Sequence, residues 1–391
     1  MKPISVDKSS VPLFVMLGIV AAMIVFLFTS LRTDAVDLAM KTDRILNVAV
    51  ILEKDGKPVS TQLFLFYPSN GRGAILDVPG ETGLIIKSLN RVDRIDVLYS
   101  KRNPRAYVEE IADLMSTSIP YWIVIDEKGL SRCVDMLEGI EVFVPSKINL
   151  AGAPCACLPS GALVLDGDKA SQFAFYKDPD ESDSDSIARR QKLFQSVVRR
   201  VGEKSAWISR GDVYSGFMRG LRSNMDAESE RRFISELSKI DADRLVLQRV
   251  TGIYREVDGK RLLFPHYDGE LVRDIVKQTL NALSNSASSS PADKIFTIEI
   301  LNGTPTKGIA KKAAEIFQSF GYDVLSVDNA DREDYDQTQV IDRFSNPEAA
   351  KSIADVIRCK QTRAQQTTQD SAVADFTIIL GKDFNGRYCA K

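Results

Sequence analysis

"ILNGTPTKGIAKKAAEIFQSFGYDV", residues 300–324, places an apolar strand, a glycine loop and a helix-patterned run one after another. Gly303 and Gly308 have the spacing of a Walker-type phosphate loop. That loop also needs a lysine and then a serine or threonine right after its second glycine, to reach the phosphates and their magnesium ion. Ile309 and Ala310 stand there instead, and Lys307 precedes the glycine. No nucleotide is expected. The stretch reads as a tight strand-to-helix turn, in which Asn302-Gly303 redirects the chain and Gly308 allows close packing at the helix start.

Working outward, a strand at 295–301, a helix at 307–320 and a strand at 322–327 open a unit over 294–391. It continues with a helix at 347–358 and a strand at 375–381, and the polar run "CKQTRAQQTTQDSA" between them reads as an exposed loop. Ahead of it, "SNSASSSPAD" (284–293) has linker composition. Residues 45–283 alternate strands and helices, so the fold class is α/β. The strands are expected at 45–53, 61–67 and 73–78, joined by the turn signals "KDGK" and "SNGRG". A helix at 104–119, a strand at 121–126, a helix ending near Gly139 and the strand "IEVFVP" follow. Asp166 is the expected N-cap of a helix over 166–176. After an acidic loop, "DPDESDSDS" (178–186), come helices at about 187–203, 210–220 and 227–239, late strands around an Asp258-Gly259 turn, and a helix at 269–283.

The apolar run near the start fixes the setting. Ser9 to Leu31 carries no charge, and Val11 to Phe28 would span about 30 Å as a helix. Thr33-Asp34-Ala35 is a poor cleavage site, so the segment reads as an uncleaved anchor. Residues 1–10 would then be a cytoplasmic tail, 11–31 one transmembrane helix and 32–44 a juxtamembrane segment. Lys2 and Lys8 put the N-terminus inside, leaving the bulk of the chain extracytoplasmic at the cell membrane.

With a net charge of −2 the chain has no general attraction to nucleic acid, and none is expected as a partner. "RRQKLFQSVVRR" (189–200) is read as the solvated face of an amphipathic helix. Cys133 and "CAC" (155–157) lack the four-ligand pattern of a zinc site and read as ordinary thiols or disulfides. Cys359 and Cys389 are candidates for a disulfide, which an oxidising compartment would permit. The single histidine, His266, makes histidine-dependent hydrolysis improbable and is read as a loop residue.

The order of these features resembles the LytR-CpsA-Psr family of envelope proteins. The residues that carry the resemblance are 121–145, 158–201 with Leu165-Asp166-Gly167 and Ala170, and "REVDGKRLLFPHYDGELVRDIV". In the last hundred residues, "IEILNGTPTKGIAKKAAEIFQSFGYDV", "NPEAAKSIADVI" and "DFTIILGKDF" (375–384) resemble the LytR C-terminal domain. The resemblance implies an anchored α/β/α sandwich over 45–283 and a small α/β domain after it. It also implies transfer of a glycopolymer from a polyprenyl-pyrophosphate carrier to peptidoglycan. That reaction calls for carboxylate-held Mg2+, arginines around the pyrophosphate, and an apolar groove for the prenyl tail.

Set against that pattern, the cations are depleted. The family's Arg-x-Asp-Thr stretch falls on Pro58-Val59-Ser60-Thr61, removing an arginine and a metal-binding aspartate. Its Pro-Arg-Asp element falls on "VPGET", where Gly80 replaces the arginine and Glu81 keeps a carboxylate. Two further arginines fall on Phe175 and Ser186, while Lys177, Arg189 and Gln191 remain. Asp178, Asp180, Asp183 and Asp185 of the acidic loop are the alternative metal ligands. Two readings follow. In the first the chain binds or scaffolds at the cell wall, with peptidoglycan or another envelope polymer as partner and with lost or altered catalysis. In the second it is an active phosphotransferase using Glu81, Lys177, Arg189 and Gln191, with Mg2+ and a polyprenyl (pyro)phosphate.

Overall fold

A computed structural model describes residues 45–145, 147–149, 157–176, 182–284, 296–343, 346–364 and 374–390. The expected anchor at 11–31, the linker beyond Ser284, and Lys177, Asp178 and Asp180 lie outside these residues. Among the described residues no helix is long and apolar enough to cross a membrane.

The chain opens with an antiparallel meander: β1 (Leu46–Lys54), β2 (Lys57–Tyr67) and β3 (Arg72–Asp77). The first turn is Asp55-Gly56, both at positive φ, as a two-residue hairpin requires. A small hairpin, β4 (Gly83–Ile86) and β5 (Arg91–Arg94), precedes α1 (Arg105–Met115) and β6 (Tyr121–Asp126). Next come α2 (Glu127–Met136), β7 (Ile140–Val144), β8 (Ile148–Asn149), β9 (Cys157–Leu158), β10 (Gly161–Leu165) and α3 (Gly167–Phe175). Then follow α4 (Asp183–Glu203), α5 (Ser205–Ile208), α6 (Gly211–Met218), β11 (Leu221–Ser223) and α7 (Ala227–Glu236). β12 (Val246–Arg249), the hairpin β13 (Gly252–Val257) and β14 (Lys260–Pro265), and α8 (Glu270–Ser284) close this lobe.

Six strands form one sheet in the order β11-β6-β1-β2-β3-β12. Strand alternation sends Val48, Val50, Phe64, Phe66 and Ile75 to one face, where Leu130, Phe173, Leu193 and Phe233 pack on them. Ala49, Ile51, Leu63, Leu65 and Leu76 face the other way, against Tyr107, Ile111, Leu271 and Ile275. The lobe is thus an α/β/α sandwich. The first of these layers is occupied by the chain's own aromatics: Phe64 stacks on Phe66 and meets Phe194 and Phe233 edge-on. At these side chains the layer is packed as core, not opened as a groove.

The second sheet runs β16-β15-β19-β17-β18. Its elements are β15 (Thr297–Asn302), α9 (Ile309–Ser319), β16 (Asp323–Asn329), β17 (Gln339–Asp342), α10 (Pro347–Val356), β18 (Thr362–Ala364) and β19 (Phe376–Leu380). Strands β17 and β18 were not anticipated, and β18 lies inside the stretch read as exposed loop. Its three residues are all exposed, so they carry no alternation that would reveal a strand.

The two lobes touch. Thr251 and Ser319 share a hydroxyl hydrogen bond of 2.6 Å, and the apolar cluster around α1 and α8 continues into the second sheet.

Candidate functional site

The expected turn after β15 is built as a short closed circuit. Asn302 Oδ1 accepts from the Thr304 amide at 3.0 Å and its hydroxyl at 2.9 Å, while Nδ2 donates to the Thr306 carbonyl at 3.1 Å. The two glycines exchange the roles expected of them. A Cβ on Gly303 would lie 2.6 Å from the Tyr335 ring and 2.7 Å from the Leu380 carbonyl oxygen, so close packing belongs here. Gly308 sits in open space at φ +79° and supplies the left-handed residue that starts α9. Asn302, Gly303 and Gly308 are thereby all accounted for within the chain.

The other candidate site gathers at the C-terminal end of β3, from segments far apart in sequence. Asp77 is buried; Gln62 Nε2 donates to its Oδ1, and the Ser60 hydroxyl is 3.4 Å from the same oxygen. Burial, only partly offset by nearby Arg190, pushes the Asp77 carboxyl up to about 7. Four residues on, the Tyr254 hydroxyl donates to Glu81 at 3.2 Å, and β14 ties to the same loop through Leu263 N–H to the Glu81 carbonyl at 2.9 Å. Tyr254 in turn lies under the Arg261 guanidinium, 3.6 Å from its ring centre. Burial first, then the Glu81 charge, raises the Tyr254 hydroxyl above its ordinary range.

Among the described residues, Arg91, Arg94, Lys260 and Arg261 each pair with a carboxylate. Arg94 forms a two-pronged bond to Asp96, through Nε at 3.1 Å and Nη2. Lys260 donates to both oxygens of buried Asp93, at 2.8 and 3.1 Å, and Arg91 adds a third bond. Held chiefly by Lys260, Asp93 falls to about 2. Arg261 pairs with Asp183 at 2.6 Å. At Gly80, where the resemblance placed the family's arginine, a Cβ would already stand 3.2 Å from the Asp96 carboxylate.

The residues assigned to catalysis from the sequence serve mainly as braces. Arg189 is buried and donates to the Phe173 carbonyl and, at 2.9 Å, to that of Tyr176, fastening α4 to the end of α3. Gln191 donates to the Gln248 carbonyl at 2.6 Å, linking α4 to β12. Arg190, passed over in the sequence, is the cation whose charge reaches Asp77, and it donates to the Ala174 carbonyl at 3.1 Å. No sequence signal distinguishes it from Arg189 except its place one residue round the helix. At the other end of "RRQKLFQSVVRR", Arg199 pairs with Asp243 and Arg200 donates to the Leu137 carbonyl at 2.9 Å.

The acidic loop is shorter than expected. Helix α4 begins at Asp183, capped by Ser182, so Asp183 and Asp185 occupy its first turn and complement the helix dipole. Asp185 also accepts from Ser182 at 2.7 Å. Among the described residues no three His, Cys, Asp or Glu side chains converge as a metal site. The carboxylates at the end of β3 fit a magnesium ion poorly: Asp77 is buried and already bonded by Gln62 and Ser60. We derive no step through a metal. Cys133 is buried and donates to the Phe217 carbonyl, and Cys157 is exposed. His266 follows β14 and faces Glu315 of α9 at 3.6 Å.

A doubly covered mixed sheet followed by a small α/β lobe describes the class of protein. Comparison with known proteins then gives the family. A model of the LytR_cpsA_psr family matches residues 66–279, more than half of the chain, and the chain belongs to that family. A second model, "LytR cell envelope-related transcriptional attenuator", matches 296–384. The chain is 23% identical over 174 residues to the polyisoprenyl-teichoic acid–peptidoglycan teichoic acid transferase TagU of Bacillus mycoides, covering 44% of this chain and 56% of that one. It therefore spans about half the length of the curated relatives it matches. Among solved structures, TagV of B. subtilis aligns at a TM-score of 0.54 with 17% identity, over 61% of this chain and 98% of that one. TagT, solved bound to LI-WTA, aligns at 0.50 with 13% identity, over 62% and 91%. At such identities these likenesses are of fold.

Proposed function

We propose that this chain is a membrane-anchored envelope protein that binds or scaffolds at the cell wall and no longer performs glycopolymer transfer. The observation that carries the reading is the closed charge account at the end of β3. A pyrophosphate would need cations aimed at it without internal competitors. Here Arg94, Arg261, Arg91 and Lys260 are committed to Asp96, Asp183 and Asp93. Removing an arginine such as the one replaced by Gly80 costs about 1.5–3 kcal/mol per charged hydrogen bond, and several such losses multiply to many decades of rate. The family and the run at 11–31 support an extracytoplasmic position for both lobes, divided as 45–283 and 294–391 around the 284–293 linker. The TagU relatives act, by their names, on teichoic acid and peptidoglycan, which makes an envelope polymer the proposed partner. Sedimentation of the full chain with purified peptidoglycan tests it: co-sedimentation without transfer is expected, and no binding would overturn the scaffold role.

A second reading keeps the enzyme. Asp77 lies within electrostatic reach of Arg190 and Glu81, and Arg94 within reach of Glu81. If they form a working centre, Glu81→Ala abolishes transfer that the unaltered chain performs.

A further inference from the structure

We propose that Cys359 and Cys389 become a disulfide that locks the clasp joining the two lobes. The clasp is the turn at residues 384–389, which is bridged to itself through Phe384 and Cys389. Its apex reaches across to the first lobe in three places. Tyr267 donates to the Gly386 carbonyl at 2.6 Å, and Arg387 and Tyr388 both donate to Asp274 of α8, the former at 2.6 Å. Arg387 is almost wholly buried, and the Arg358 guanidinium lies 3.6 Å above the Tyr388 ring.

What holds the clasp to its own lobe is its base. The Cys389 amide donates to the Ile357 carbonyl at 2.8 Å, which brings its backbone beside the end of α10. The Cys359 thiol contacts the Thr338 carbonyl at 3.1 Å, and the Cys389 amide bonds the carbonyl of Ile357, two residues before Cys359, so the two thiol groups are immediate neighbours. Both cysteines are buried, at 7% and 8% exposure. The first lobe contributes a reason for a lock. Tyr267, Asp268 and Gly269 run consecutively at positive φ (54°, 52° and 81°). Such a turn persists only where neighbours hold it, and Tyr267 is held by the clasp. The turn continues from β14, whose Leu263 grips the Glu81 loop. The clasp therefore bears on the one loop of the first lobe that keeps the family carboxylate.

The step is a two-electron oxidation. Each thiol releases a proton, one S–S bond forms in the protein, and a disulfide-bearing oxidant takes the electrons and leaves as two thiols. Its occurrence in the cell rests on the proposed extracytoplasmic placement; its chemistry rests only on the juxtaposition.

Two arms separate these. Purified full-length protein in detergent is treated with oxidised glutathione, alkylated and mapped by mass spectrometry. One Cys359–Cys389 cross-linked peptide, lighter by two hydrogens, is expected. Glutathione adducts, unreacted thiols or pairing with Cys157 would overturn the proposal. In the same samples, amide exchange at 384–389 should be roughly tenfold slower in the oxidised form; equal rates would overturn the locking role. In the second arm, protein trapped by acid and alkylation in intact cells should carry the bond. Thiols that are reduced in the cell yet pair in vitro would contradict the extracytoplasmic placement and leave the pairing standing.

Discussion

The ends of β3 and β15 offer two versions of the same architectural place, the loop beyond the C-terminal end of a sheet strand. After β15 the loop is closed by neighbours: Asn302, Thr304 and Thr306 bond within four residues of one another. After β3 the site is assembled from β2, β5, α4 and the β13–β14 hairpin, and Arg91, Arg94, Lys260 and Arg261 each pair with a carboxylate. The first is determined by local stereochemistry and changes little in meaning with context. The second depends on long-range assembly, where a change at one residue bears on partners brought from distant segments. That contrast shows why a frame can persist while a site assembled at long range changes.

Four substitutions test the contrast. Gly303→Ala should be the most damaging, because its Cβ would meet backbone at 2.7 Å as well as a ring at 2.6 Å. A loss of about 3 kcal/mol is expected in chemical denaturation, and an unchanged midpoint would show that the loop has room. Arg189→Ala strips buried carbonyls of their donors and should cost about 2–3 kcal/mol. If it left stability intact and altered only ligand binding, the brace assignment would be wrong.

Asp77→Asn probes the distributed site through pH. Because the folded state holds the Asp77 proton more tightly, its carboxyl rising from 3.8 to about 7, stability contributed by that proton is present at low pH and lost as pH climbs through this window. The variant should flatten the corresponding slope across this window, while Gln62 keeps an amide oxygen to bond. An identical slope in both proteins would place the titration elsewhere. Gly308→Ala should cost least, about 1 kcal/mol, since only the left-handed backbone opposes it. A larger loss would mean that the helix start is packed after all.

The strand-turn-helix at 300–324 was legible because each of its signals is local: the apolar alternation, the glycines and the amphipathic period. Asp166 caps α3 as expected, donating nothing and accepting from the Lys169 amide at 2.9 Å, for the same reason. The meander and the Asp258-Gly259 hairpin turn were likewise readable. The β4–β5 hairpin was not: it exposes Ile85 and Val92 while burying Gly83 and the charged Asp93, so its apolar residues do not mark its buried face. Family spacing pointed to Glu81, Arg189 and Gln191, yet it could not say that two of the three point into carbonyls. Nor could it reveal Arg190 or Tyr254, whose roles exist only once α4 and β13 are brought to β3. Asp183 was read as loop because acidic runs look solvated; its cap, Ser182, was the overlooked signal.

The measurement that bears most directly on the central claim is a transfer assay. Full-length protein is incubated with a labelled polyprenyl-pyrophosphate-linked glycopolymer, Mg2+ and purified peptidoglycan, and label is counted in the washed wall fraction after muramidase release. The account predicts wall-bound protein with no covalent label above the protein-free control. Label that accumulates with time, and disappears with Glu81→Ala, would contradict it and restore the site at the end of β3 as a working phosphotransferase centre.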